Sequence, residues 1–146
     1  MPHKVDQIHI DQLGKELNCN NYWSKMNSIN EGNIIIVDVI GILFDLYRYA
    51  NLAYIGGGFE KGVHNTLEPA VYNIPVAFGP KNDGFLEVKD VMKMGIGLEV
   101  RDEKEFRRTS NQFTNNKDEL FDSSSYYFSS KIKLYEALIN KVKSCL

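Results

Sequence analysis

The sequence is short of cysteine, of long apolar runs and of any excess charge, and each shortage excludes something. Cys19 and Cys145 are the only cysteines in 146 residues, and neither stands in a CxxC or Cys/His cluster. That excludes a disulfide-framed scaffold and favours two free thiols, the state expected in a reducing compartment, over a single disulfide between them. The longest apolar runs, 34–37 and 52–55, have the length of strands and fall far short of a bilayer span. Seventeen Lys and Arg face nineteen Asp and Glu, a net charge of −2. Without a basic footprint, nucleic acid is not an expected partner. The opening Met-Pro-His-Lys-Val-Asp lacks the charged-then-apolar pattern of a signal peptide. No metal-ligand cluster and no cofactor motif is read.

What is present is the composition of an ordinary globular domain, 43% hydrophobic and 25% charged. The length fits a single domain over 1–146, by the usual range of about 100–200 residues each. Such a domain buries about two thirds of the surface its unfolded chain exposes.

Along the chain, Val5, Ile8, His9, Leu13 and Leu17 recur near helical spacing and predict an amphipathic helix over 5–17. Residues 18–31, rich in Asn and Ser, predict a loop with a short strand near 22–24. Residues 33–39 contain Ile-Ile-Ile-Val without alternation, as in a strand covered on both faces. Asp38, at its end, reads as a cap on the turn into the next helix, whose face holds Ile42, Leu43, Leu46, Tyr49 and Ala50. A strand over 52–55 ends at Gly-Gly-Gly. A short helix over 66–73, a strand over 75–78, a helix over 83–95 and a strand over 97–100 follow. This alternation with short connections is the signature of βαβ units. The expected fold is a three-layer αβα, Rossmann-like domain with a mainly parallel sheet. Beyond 100 the chain turns polar, with a short helix near 103–113. A last amphipathic helix is marked by Ile132, Tyr135, Leu138, Ile139 and Val142.

The densest stretch runs Tyr54-Ile-Gly-Gly-Gly-Phe-Glu-Lys-Gly-Val-His64-Asn65-Thr66-Leu67-Glu68-Pro69-Ala70. It reads as a strand end, a glycine turn and a helix start. Three glycines, Gly56, Gly57 and Gly58, let the backbone take positive φ and approach a ligand, and a helix start offers unpaired N–H groups to a phosphate. The same pattern also describes a tight turn with no ligand. Pro69 fits only the first turn of a helix, which places Thr66 near the cap and Glu68 within that turn. Glu68 either complements the helix dipole or accepts hydrogen bonds from a vicinal diol such as a ribose. His64 stands four residues from Glu68, on the same helical face. Such a histidine serves more often as a structural hydrogen-bonder than as a catalyst. The Tyr47/Tyr49 and Tyr126/Tyr127 pairs read as packing.

Taken together, Asp38-Val-Ile-Gly41, Leu46-Tyr-Arg-Tyr-Ala50, Ala53-Tyr-Ile-Gly-Gly-Gly58, His64-Asn-Thr-Leu-Glu-Pro-Ala70 and Pro75-Val-Ala-Phe-Gly-Pro80 resemble the C-terminal domain of bacterial 3-deoxy-D-manno-octulosonic acid (Kdo) transferases. These are GT-B glycosyltransferases that move Kdo from CMP-Kdo to a lipid A precursor. The resemblance is strong over 31–100 and loose on the flanks. It implies CMP contacts at Asn65, Thr66, Leu67 and Glu68, with Glu68 on the ribose. It implies a largely backbone contact at Ile40, Gly41 and Ile42, where some relatives carry Glu in place of Ile42. Pro2 and His3 resemble the start of a Pro-Arg/His motif near the phosphate. Gly57, Gly58 and His64 complete the candidate nucleotide site.

The resemblance further implies that the catalytic base and acceptor site lie on an N-terminal domain, so that no catalytic residue falls in this chain. The first strands of the C-terminal domain would likewise precede Pro2. The implied full-length enzyme needs no metal or cofactor, takes CMP-Kdo as donor and a lipid A precursor as acceptor, and works at the cytoplasmic face of the inner membrane. This chain carries no anchor of its own. Two other readings share the residues: a GT-B domain for a UDP-sugar, and a non-catalytic binding module.

Overall fold

The computed structural model describes residues 6–27, 34–60, 62–63, 65–115, 127–133, 136–137, 139–140 and 143. They fall into two compact units, Met1–Leu46 and Tyr47–Leu146.

In the first unit, helix α1 spans Gln7–Glu16. Asp6 caps it, its carboxylate accepting from the His9 amide at 3.1 Å, which satisfies one of the orphan N–H groups of the first turn. Its buried stripe is Ile10 and Gly14, with Leu13 packed beside them. The expected face differs: Ile8 is 78% exposed and Leu17 is 43% exposed. Gly14 explains the shift, since a Cβ there would collide with the Tyr22 hydroxyl. The missing side chain admits the tyrosine and turns the 10–13–14 face inward. Cys19 is buried and free, and its thiol donates to the Ile34 carbonyl at 3.1 Å. Cys145 and Val5 lie outside the described residues.

The expected strand over 33–39 is reduced to one parallel bridge, Tyr22 to Ile36. The Ile36 amide donates to the Asn21 carbonyl at 2.9 Å, and the Trp23 amide to the Ile36 carbonyl at 3.0 Å. Pairing stops there because the partner segment turns into a 3-10 helix, Trp23–Lys25. Asp38 fixes that turn by accepting from the Ser24 amide at 2.8 Å and the Ser24 hydroxyl at 2.5 Å. Its bonds therefore run upstream, and not into the next helix, α2 (Leu43–Tyr47). Burial raises the Asp38 carboxyl, but the two Ser24 bonds and the Lys25 charge outweigh it and hold the group below the ordinary carboxylate value. Helix α2 is shorter than the spacing predicts, and Tyr49 beyond it is exposed.

The second unit holds a three-stranded parallel sheet, β1 (Ala53–Tyr54), β2 (Val76–Phe78) and β3 (Gly97–Glu99), in that spatial order. Helices α3 (Leu67–Ala70) and α4 (Leu86–Lys93) lie in its two crossovers, and α5 spans Glu103–Asn115. Ala53, Ile55, Val76 and Phe78 pack with Ala70, Val88 and Val91 in one core cluster. Ala77, Leu98 and Val100 form another, with Leu52 and Phe106 against it. Alternate residues of β2 thus serve opposite faces, with α3 and α4 on one and α5 on the other. That is the expected αβα layering, and it explains why the strand shows no polar alternation. A Cβ on Gly97 would stand 2.9 Å from the Met92 amide nitrogen, so glycine there lets α4 lie directly on β3.

Residues 127–133 are helical. Tyr127 and Phe128 pack on the main core, and the Tyr127 hydroxyl donates to Asp90 at 2.5 Å. Burial and the Asp90 carboxylate push its phenol up to about 12. The expected stripe differs, for Ile132 and Ile139 are exposed, while Tyr135, Leu138 and Val142 lie outside the described residues. Among the described residues, no helix is long and apolar enough to cross a membrane.

Candidate functional site

The site is built on the connection from β1 to α3. Gly57 and Gly58 have φ of +100° and +76°, a region that only glycine enters cheaply. Both also meet backbone at close range. A Cβ on Gly57 would strike the Gly62 carbonyl, and one on Gly58 would stand 2.7 Å from the Gly79 oxygen. The Lys81 amide donates to the Gly58 carbonyl at 2.6 Å, and the Phe85 ring lies where a Gly62 side chain would be. The loop after β1 is therefore clamped to the loop after β2. Both ends sit at the carboxyl edge of the sheet, where open α/β folds bind ligands. Gly57 and Gly58 are needed by the fold whether or not a ligand is present.

Asn65 and Glu68 meet at the start of α3. The Asn65 side-chain oxygen accepts from the Leu67 amide at 3.1 Å, while its amide donates to Glu68 at 2.9 Å. One asparagine thus caps the helix and positions the carboxylate. Thr66 stands at the cap as expected, but its side chain does not share this work. Thr66 is the formal N-cap but makes no side-chain cap bond, and its hydroxyl is buried without a hydrogen-bond partner among the described residues. Pro69 and Ala70 are buried beneath, which fixes α3 against the core. Glu68 keeps acceptor capacity beyond Asn65, since a carboxylate offers about four lone-pair sites. Burial, then the Glu68 charge, raises the Tyr47 phenol above its ordinary value. Tyr47 thus stands within the field of Glu68, a neighbour that the packing assignment for this tyrosine misses. Nearby, the Arg48 guanidinium lies 6.0 Å from the centre of the Tyr72 ring.

The structure brings together Gly57, Gly58, Asn65, Thr66, Leu67 and Glu68 in the second unit. Ile40, Gly41 and Ile42 belong to the first unit, where Gly41 has φ +92° and Ile40 is 79% exposed. Pro2, His3 and His64 lie outside the described residues. Among the described residues no cluster of three His, Cys, Asp or Glu could hold a metal ion. Apart from these residues, an open groove of about 490 Å³ is lined by Tyr54, Phe59, Val100, Phe106, Arg101 and Asp102 among others. Tyr54 and Phe106 meet edge to face at 5.8 Å. The sequence holds no local signal for this groove, because its walls come from segments about fifty residues apart.

No family model matches the chain. It is 43% identical over 77 residues to a 3-deoxy-D-manno-octulosonic acid transferase of Aquifex aeolicus, an alignment covering 51% of this chain and 22% of that protein. It is 48% identical over 60 residues to the transferase of the same name from Chlamydia muridarum, covering 40% of this chain and 14% of that one. The chain is thus similar to Kdo transferases over about half of its length. It spans only 14–24% of the first curated relatives it matches. A bifunctional glycosyltransferase/methyltransferase of Fusobacterium nucleatum is 28% identical over 98% of this chain and 24% of its own length. The fold is that of the C-terminal CMP-Kdo binding domain of WaaA from Acinetobacter baumannii, with a TM-score of 0.71 over 86% of this chain and 70% of that one, at 21% identity.

Proposed function

We propose that this chain is the donor-binding part of a Kdo transferase and holds CMP-Kdo through the start of α3. The observation that carries the reading is the Asn65–Glu68 pair, a carboxylate fixed by a side-chain amide at the carboxyl edge of a parallel sheet. In this reading Glu68 accepts from the ribose hydroxyls, and the amides around Thr66 and Leu67 face the phosphate. By the same resemblance, Ile40, Gly41, Ile42, Pro2, His3 and His64 are further candidate contacts to CMP. Residues 1–146 act as one domain, which the likeness to the Acinetobacter domain over 86% of the chain supports.

Amide groups preset at the phosphate stabilise charge developing on the leaving CMP. The base and the acceptor site, for a lipid A precursor at the cytoplasmic face of the inner membrane, belong to an N-terminal domain. The chain alone therefore binds donor without turning it over. A related reading, a glycosyltransferase with another nucleotide-sugar donor, is supported by the Fusobacterium relative, whose likeness runs through nearly the whole chain. Calorimetric titration of the chain with CMP, UMP and UDP decides between them. Preference for CMP by tenfold or more is the expected result. Preference for UMP or UDP overturns the CMP-Kdo assignment.

A further inference from the structure

From residue 127 to residue 143 every described position is helical. Tyr127 and Phe128 pack on the main core, but from Ser129 onward every described residue is exposed. Ser129 to Lys133 are five consecutive residues, more than one full turn, so no side of the helix is covered there. Helices draw most of their stability from packing an apolar face, and this one has such a face. Ile132 is 58% exposed and Ile139 is 52% exposed, and a spacing of seven puts them on one side of the helix. Phe128 stands on that side one turn before Ile132. The stripe that docks at Phe128 therefore runs on uncovered.

The charge around the stripe says what covers it. Lys131, Lys133 and Lys143 are exposed on the same helix. Residues 127–146 hold four Lys and one Glu, net +3, in a chain of net −2, so residues 1–126 carry −5. We infer that this helix docks the domain on an anionic lipid surface, with Ile132 and Ile139 at the headgroup boundary and Lys131, Lys133 and Lys143 against lipid phosphates. The negative remainder of the chain is repelled by such a surface, which confines the contact to the helix. A second copy paired through the same helix would set one positive stripe against another. The inference is independent of what the start of α3 binds.

Flotation of the chain with lipid vesicles tests it. The chain should bind vesicles of phosphatidylglycerol and phosphatidylcholine in equal parts, and bind phosphatidylcholine alone at least tenfold more weakly. Binding should weaken as salt rises, because salt screens the lysine charges. Ile132→Ser combined with Ile139→Ser should weaken binding to the anionic vesicles tenfold or more. Replacing Lys131, Lys133 and Lys143 together by Gln should do the same and remove most of the salt dependence. Both variants should melt within about 2 °C of wild type, since the replaced side chains are exposed. No binding to anionic vesicles, equal binding to both kinds of vesicle, or unchanged binding in both variants overturns the inference. Self-association of the chain that the isoleucine variant abolishes also overturns it, and makes the occupant a second copy.

Discussion

Two apolar stretches of similar composition meet different fates. Residues 34–37 and 76–78 both lie in segments that read as strands, the first of them as one covered on both faces. Val76, Ala77 and Phe78 are each fully buried, with β1 on one side and β3 on the other. Ile36 is buried, but Ile34 is 53% exposed, and one bridge to Tyr22 is the only pairing in its stretch among the described residues. An apolar run becomes a strand only where partners flank it. The run supplies the wish to be buried, and the neighbours supply the ladder. Polar anchoring then takes over where the ladder fails, as Asp38 shows by tying Ser24.

This contrast can be broken by substitution. Phe78→Ala opens a cavity at the centre of the larger core and should cost about 3–5 kcal/mol. Ile36→Ala acts on a cluster of three buried residues that can collapse around the gap, and should cost about 2–3 kcal/mol. Urea unfolding of both variants ranks them, and a larger loss at Ile36 would break the comparison.

Asp38 sharpens it with a smaller effect. Its carboxyl lies below its ordinary value, so the stability it adds is present above the unfolded carboxyl value, about 3.9. That stability is lost as pH falls through the lower folded value. Asp38→Asn should cost about 1 kcal/mol at neutral pH and flatten the acid limb of stability below about pH 4. An acid limb identical to wild type would show that the Ser24 bonds add nothing.

The sequence was most legible where local and global signals agree. The parallel strands and their helices follow from apolar runs bounded by glycine and proline, and each is flanked by the next unit of the same kind. Pro69 sets the start of α3 because its ring tolerates only a first turn. The misreadings have specific causes. Gly14 is silent in a hydrophobic pattern, yet its missing Cβ decides which face of α1 is buried. Thr66 does stand at the N-cap of α3, as Pro69 implies, but the side chain that caps is that of Asn65, which accepts from the Leu67 amide. Gly57 and Gly58 are required by backbone packing as well, so their presence in the sequence does not by itself distinguish a ligand cradle from a tight turn. The last helix docks through Tyr127 because its hydroxyl finds Asp90, a partner 37 positions away that no periodicity reveals.

The central claim is that Glu68 holds the nucleotide and is not merely a first-turn carboxylate. CMP titrated into the wild-type chain and into Glu68→Gln, with thermal melts of both, tests it directly. Gln keeps an acceptor for Asn65 but loses the charge, so CMP affinity should fall tenfold or more, at about 1.4 kcal/mol per decade. Stability should change by no more than about 0.3–1 kcal/mol, the worth of a carboxylate at a helix start. Unchanged CMP affinity beside a lowered melting temperature would contradict the account and make Glu68 a structural residue alone.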